Sequence, residues 1–393
     1  MSDDYPLRQL GEVMRLDIQR TPMMPATTYR LAGVLNAGQG LVAKGELDGG
    51  DTEYAAMNVL RVDQVVMRKL TAWEGPITVV PAEFDGFVVS NEFPTFTLGP
   101  ELMPDWMRHV CRSPRLWAEM KNRVSGTVQR RKRLTPEQLL QIELPIPPRE
   151  VQVGIVEILD AVDDQIAALD TESEALEGIL EFLRSDLPET GQQPIGDVLL
   201  GIDSGKSVQA GGEASAEDEY RILKLSAVQR GWFKPSEAKT LTEGAAFSPS
   251  HVVKNGDLLI TRANTPERVG FVAVAKNVPE GTFIPDLIWR LRVDESRVSM
   301  DYLEHALSSR ELRTLISAAA GGTSKSMVKI NKRGFGAIRV PIPPLPEQGE
   351  YVRRCDVVVG GIMAIRAEAA RLRQVRARLL EGLLDRTIDI ESA

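Results

Sequence analysis

The chain has 393 residues, 43% of them hydrophobic and 26% charged, a length that calls for more than one domain and a composition able to build packed cores. Lys and Arg number 47 against 55 Asp and Glu, a formal charge of -8 that argues against coating nucleic acid through bulk charge. Two isolated cysteines, Cys111 and Cys355, and no Cys/His cluster with ligand spacing exclude a disulfide scaffold and a zinc site.

In chain order, the opening MSDDYPLRQL has neither the basic n-region nor the apolar h-region of a signal peptide. No later stretch approaches the roughly 18 apolar residues of a membrane span, so the expected compartment is the cytoplasm. Residues 1–147 read as mixed strand and loop, with the β-branched runs ITVVP at 77–81 and GFVVS at 86–90 set between Gly, Asn and Pro turns. One amphipathic helix is predicted over 104–121, ahead of a flexible SGT loop at 125–127. Pro145-Ile146-Pro147-Pro148 then stops a strand, because consecutive prolines supply no ladder donors, and hands over to a long helix. Along it Ile155, Leu159, Val162, Ile166, Leu169, Ser173, Leu176, Leu180, Leu183 and Leu187 follow steps of four and three, a heptad seam. A helix of about 38 residues is about 57 Å long, more than one body of this size covers by itself. PETGQQPIGD at 188–197 has the punctuation of a linker. Beyond it, DLLIT at 257–261, GFVAVA at 270–275 and a second amphipathic helix over 300–318 describe another α+β body.

The second body ends as the first does. Residues 125–152 and 321–348 align without a gap at an offset of 196, with Gly126 matching Gly322, Thr127 matching Thr323, Leu134 matching Ile330, and the two Pro-Ile-Pro-Pro segments coinciding. A register held through a whole unit indicates internal duplication. At the seam positions the second helix carries Tyr351, Cys355, Val358, Ile362, Ile365, Ala369, Leu372, Arg376, Leu379 and Leu383. Residues 149–187 hold eleven acids and two arginines, a charge of -9, whereas 345–386 hold eight arginines and six acids, +2. An acidic helix facing a basic one gains register specificity, and each long helix is the natural partner of the other.

This arrangement resembles the DNA-specificity subunit of type I restriction-modification systems over essentially the whole chain. The resemblance rests on the order of bodies and helices and on the two Pro-Ile-Pro-Pro segments followed by Gln152 and Gln348. Segments such as VVMRKLTAWEG at 65–75 and FDGFVVSNEFPTF at 84–96 also look like family target-recognition stretches, as does NGDLLITRANTPERVGFVAV at 255–274. Arg149-Glu150-Val151-Gln152 departs from the more typical Leu345-Pro346-Glu347-Gln348, and Arg376 interrupts the second seam. The resemblance implies an α+β protein with target-recognition domains at 1–147 and 189–343, separated by long helices at 148–188 and 344–390 that form an antiparallel coiled coil. It implies a non-catalytic subunit that reads a bipartite, asymmetric site in double-stranded DNA and docks two methyltransferase subunits. S-adenosylmethionine, ATP and magnesium would belong to those subunits and to translocating restriction subunits. On that view a one-turn insertion in the first helix changes the gap between half-sites.

Candidate DNA-contacting residues follow from side-chain chemistry. Arg130, Arg131, Lys132 and Arg133 beside Ser125-Gly126-Thr127, and Lys325, Lys329, Lys332 and Arg333 beside Gly321-Gly322-Thr323-Ser324, are phosphate candidates; the plain alternative is a solvated loop. Arg68, Lys69, Trp73, Asn91 and Glu92 in the first body, and Lys224, Arg262, Asn264 and Arg268 in the second, offer the donors and acceptors of base readout. Packing of Trp73 and local loop bonding of Arg262 and Asn264 compete with that reading. Asn91-Glu92-Phe93-Pro94 lacks the form of an amino-methyltransferase tetrad, and GIDSGKS at 201–207 is one residue short of a phosphate loop. His109, His251 and His305 stand in dissimilar sequence contexts without paired acids, so surface or packing roles are expected. A structural adaptor with non-DNA partners, or an independent nuclease, are the competing functional classes.

Overall fold

The proline-rich segments tie the two ends of each body together. Leu7–Gln9 pairs antiparallel with Glu143–Pro145, and Gln192–Pro194 pairs in the same way with Arg339–Pro341. The computed structural model describes residues 5–125, 132–188, 191–207, 210–215, 220–241, 248–324 and 327–388. The chain divides into two compact units, Met1–Asp170 with Ala367–Ala393, and Thr171–Arg366. The helices, in chain order, are Leu10–Val13 (α1), Pro104–Cys111 (α2), Pro114–Arg123 (α3), Pro136–Leu140 (α4), Arg149–Ser185 (α5), Met300–Ser308 (α6), Arg310–Ala318 (α7), Lys332–Gly336 (α8) and Leu345–Leu384 (α9).

In the first unit a four-stranded antiparallel sheet runs in the order Met14–Leu16, Thr95–Leu98, Val65–Met67, Ile77–Val79. Its core gathers Phe96, Trp106, Met107, Leu139 and Ile142 with Ile155 and Leu159 of α5 and Leu380, Leu383 and Leu384 of α9. A five-stranded sheet, whose edge is the hairpin of Thr28–Val34 and Leu41–Asp48, carries a smaller core of Val34, Leu60, Val80, Phe87 and Val89. The second unit repeats the four-stranded order with Leu199–Ser204, Ile288–Val293, Leu258–Thr261 and Val272–Val274. Trp289, Tyr302, Leu303, Phe335, Tyr351, Cys355, Ile362 and Leu180 fill its core. Matching strand orders extend the duplication well outside the aligned sequence.

The expected α+β class and the two long helices are present, at 37 and 40 residues. Within each unit the two long helices run antiparallel. In the first, Asp163 and Asp170 of α5 meet Arg376 and Arg373 of α9; in the second, Ser173 and Arg184 meet Arg366 and Tyr351. Of the seam residues, Ile155, Leu159, Ile166, Leu169, Leu180, Ile362 and Leu383 are buried, whereas Val162, Leu176, Leu183, Val358, Ile365, Leu372 and Leu379 are half-buried.

The helices expected over 104–121 and 300–318 are each broken in two. Pro114 cannot continue α2 and sits at the first position of α3, whose N-cap Ser113 accepts from the Arg115 amide. No proline marks the second break; there Ser309, 196 residues on, caps α7 by accepting from the Leu312 amide. A glycine is demanded where the second body begins: Gly191 has φ +75°, and a Cβ there would stand 2.5 Å from the Ile342 carbonyl oxygen.

Gln152 and Gln348, both fully buried, fasten the start of each long helix. Gln152 Oε1 accepts from the Met103 amide at 2.9 Å and its Nε2 donates to the carbonyls of Glu101 and Pro147 at 2.8 and 2.9 Å. Gln348 makes the equivalent bonds to the Ser299 amide and the carbonyls of Arg297 and Pro343, at 2.9, 2.9 and 2.7 Å.

Candidate nucleic-acid interface

Several of the predicted site residues meet on one backbone ladder in each unit. In the first, Leu70 and Ser125 both bridge to Arg133, Leu134 N donates to Lys69 O at 3.0 Å, and Lys69 N donates to Glu92 O at 2.9 Å. Thr71 N donates to Lys132 O at 3.0 Å, and the Arg133 guanidinium lies 3.2 Å from Glu92 with more than half of its side chain exposed. Lys69, Glu92, Lys132 and Arg133 therefore belong to one patch, with Asn91 exposed beside Glu92 and Trp73 half-buried on the short turn that follows Thr71. Arg130 and Arg131 lie outside the described residues.

The second unit builds the same ladder, with an offset of 196 residues on the strand of Arg133 and Lys329 and of 193 on the segment of Lys69 and Arg262. Gly321 pairs with Lys329 as Ser125 does with Arg133, and Ile330 N donates to Arg262 O at 3.0 Å as Leu134 does to Lys69. Ala263 pairs with Lys329 and Asn264 with Val328, so Arg262, Asn264 and Lys329 come together. Lys325 lies outside the described residues. Arg268 is exposed on the adjoining turn, and Arg333 is exposed on α8.

Other candidates are drawn into intramolecular bonds. Arg68 donates to Leu70 O, Asn36 Oδ1, Thr71 Oγ1 and Glu74 Oε2 at 3.0, 2.8, 2.7 and 3.1 Å, which makes it a brace beneath the patch. Lys224 sits between Glu213 and Glu237, its ammonium held above its usual range by the Glu213 hydrogen bond, and is not on the ladder. Lys332 Nζ donates to Ile202 O at 2.6 Å. Arg262 lies over the Trp289 ring at 5.8 Å. Among the described residues, Trp73 Nε1 and Glu92 Oε2 are buried without a hydrogen-bond partner. Orphaned polar groups inside a basic patch are where an external ligand gains most.

The histidine reading needs correction, because two of the three are paired with acids. Buried His109 of α2 faces Asp160 of α5 through Nε2 at 3.1 Å, and Arg376 of α9 donates to its Nδ1 at 2.6 Å. Buried His305 of α6 faces Asp356 of α9 through Nε2 at 2.9 Å, with Arg184 of α5 3.4 Å from its Nδ1. His109 and His305, like Asp160 and Asp356, are 196 residues apart. The constant offset was the signal that could have found them. In the first unit Asp163 adds bonds to Arg376 at 2.6 and 3.0 Å and to Arg112 at 2.6 and 3.3 Å. Although His109, Asp160 and Asp163 are close enough to gather around a metal, two guanidiniums already balance their charge.

Burial, then the Arg376 charge, pushes His109 down to about 4, so the ring is neutral with Nε2 protonated. Burial raises the Asp163 carboxyl, but its hydrogen bonds to Arg376 and Arg112 outweigh that and leave it below the usual range. The His305 hydrogen bond likewise holds Asp356 low. A histidine depressed on folding contributes stability that is complete above its unfolded value of 6.5 and is lost as pH falls from there toward 4. Urea unfolding between pH 7.5 and 4.5 is expected to show this loss, at most about 1.4 kcal/mol per pH unit. His109→Gln should flatten that slope; an unchanged slope would count against the neutral buried ring.

Two β-rich bodies with repeated strand order, each closed by a proline-rich segment and a long helix, define a duplicated α+β fold. A solved chain described as "Structural basis underlying complex assembly and conformational transition of the type I R-M system" shares this fold, with a TM-score of 0.59 and 19% identity over 97% of this chain and 98% of that one. A model of the family "Type I restriction modification DNA specificity domain" matches residues 118–178. The EcoEI specificity subunit of Escherichia coli is 24% identical over 196 residues, 50% of this chain and 33% of that protein. The EcoKI specificity subunit of Escherichia coli strain K12 is 27% identical over 234 residues, 55% of this chain and 50% of that protein. The matched stretches thus span half or less of these two relatives. Over about half of its length the chain is similar to specificity (S) subunits of type I restriction enzymes. Among the described residues no helix is long and apolar enough to cross a membrane.

Proposed function

We propose that this chain is the non-catalytic, sequence-reading subunit of a cytoplasmic type I restriction-modification assembly. Its bodies at 1–147 and 189–343 each read one half of a split, asymmetric site in double-stranded DNA. The helices at 148–188 and 344–390 fix the gap and dock two methyltransferase subunits, which supply S-adenosylmethionine and methylate adenine. Restriction subunits using ATP and magnesium act on the same assembly.

The observation that supports this reading best is the repeated cationic ladder. Lys69 and Arg133 in one unit, and Arg262 and Lys329 in the other, occupy matching places beside loops of different sequence. Equivalent cations suit phosphate contacts that set register, whereas the divergent neighbours suit two different base readouts. The overall acidity is no obstacle, because residues 149–187 carry -9 of the net -8 and leave the rest of the chain at +1.

Arg133→Gln and Lys329→Gln, tested in the complex with the methyltransferase partner, should each weaken specific and random duplex alike. Each should also lower the slope of log affinity against log salt by about 0.9. Unchanged slopes would remove these residues from the phosphate contacts.

A further inference from the structure

The two long helices carry a paired set of charges whose layout discriminates between possible helix partners. In the first unit Asp163 of α5 contacts Arg376 of α9 within the buried seam, and Asp170 contacts Arg373 at 2.5 and 2.7 Å on its rim. In the second unit Glu177 of α5 contacts Arg366 of α9. Shifting by 196 residues and exchanging the helices turns the Asp170 and Arg373 pair into Glu177 and Arg366. The same operation turns Asp163 and Arg376 into Leu180 and Val359, both part of the second unit's apolar packing. One layer is thus duplicated with its charges kept, and one is ionic in one copy and apolar in the other.

Because α5 and α9 are duplicates, two copies of the chain could in principle pair α5 with α5 and α9 with α9. The same offset states what each such pairing would bring together. In an α5 pair, Asp170 would face Glu177 and Asp163 would face Leu180. In an α9 pair, Arg373 would face Arg366 and Arg376 would face Val359. Each combination sets like charges on the rim and buries a charge against an aliphatic side chain, the costly arrangement in a seam. Of the three pairings, only α5 with α9 satisfies both layers.

We infer that Asp163, Asp170, Glu177, Arg366, Arg373 and Arg376 form a pairing code that admits α9 as the partner of α5 and rejects like-with-like association between copies. Apolar seam residues supply attraction without that choice, and the polar layers supply the choice. Asp163 and Arg376 contribute most, since Arg376 is buried and its alternative partner offers no acceptor.

Three full-length variants test this. The first carries Arg366→Glu, Arg373→Asp and Arg376→Asp, which makes the contact positions of both long helices acidic. The second carries Asp163→Arg, Asp170→Arg and Glu177→Arg, which makes them basic; the third carries all six changes. Each triple variant alone should lose the cooperative melting of the wild-type chain, whose mass is 43.3 kDa. Mixed in equal amounts, they should form a complex of twice that mass containing both chains, by light scattering and mass spectrometry. The sixfold variant should return to the wild-type mass and to cooperative melting, at a lower temperature than wild type because Arg112 and His109 lose the contacts that Asp163 and Arg376 give them. The inference is overturned if either triple variant keeps the wild-type mass and melting, if either pairs with itself as readily as with the other, if the mixture gives no mixed complex, or if the sixfold variant fails to recover.

Discussion

Asp163→Ala is expected to destabilise the first unit by about 3 to 5 kcal/mol, the cost of leaving one partner of a buried ion pair alone. The Arg376 side chain is only 6% exposed, and Asp163 supplies two of its acceptor contacts while also holding Arg112. Without that carboxylate the guanidinium keeps, among the described residues, only the His109 Nδ1 contact, and it cannot reach water without opening the helix seam. The double change Asp163→Val with Arg376→Leu copies the apolar layer of Val359 and Leu180 and should recover much of the loss, since an apolar replacement for a buried pair is often neutral or stabilising. Urea unfolding of the full chain at neutral pH, followed by hydrogen exchange in α5 and α9 to assign the unit, separates these outcomes. A single variant as stable as wild type would mean that Arg376 is not buried as described.

Gln152→Ala ranks next, with an expected cost of about 3 kcal/mol. The side chain satisfies an amide and two carbonyls at the junction of α2, the proline-rich segment and α5, and each buried group left without a partner costs about 1 to 3 kcal/mol before water enters. Gln348→Ala should cost about as much in the second unit, because its three bonds reproduce those of Gln152. Hydrogen exchange at the Met103 and Ser299 amides reads each junction separately: the Gln152 change should accelerate the first and spare the second. Equal acceleration of both by one substitution would contradict the independence of the two fasteners.

How much of this was legible in the sequence depended on the range of the interaction. Strands such as ITVVP and DLLIT, the two long helices and the duplication follow from local periodicity and a constant offset, and they appear where expected. The break between α6 and α7 did not show, because the amphipathic pattern continues through Ser309 and a serine cap is a weak signal unless a proline follows. Its counterpart was readable in Ser113-Pro114. Arg68 looks like a reader beside Lys69, but the fold turns its guanidinium inward onto Asn36, Thr71 and Glu74, a choice made by residues up to 32 positions away. Arg376 seemed to interrupt the seam, yet it completes a buried network with partners 213 and 267 positions distant. Sequence neighbours carry no trace of such contacts. Only the repeated spacing of His109, Asp160, His305 and Asp356 does.

The central claim, two readers on one chain, is tested most directly by selecting bound duplexes from a random-site library with the full chain and the proposed methyltransferase partner. The expected result is a single bipartite, asymmetric motif with one fixed gap. An ungapped motif, or no enrichment over random sequence, would contradict it.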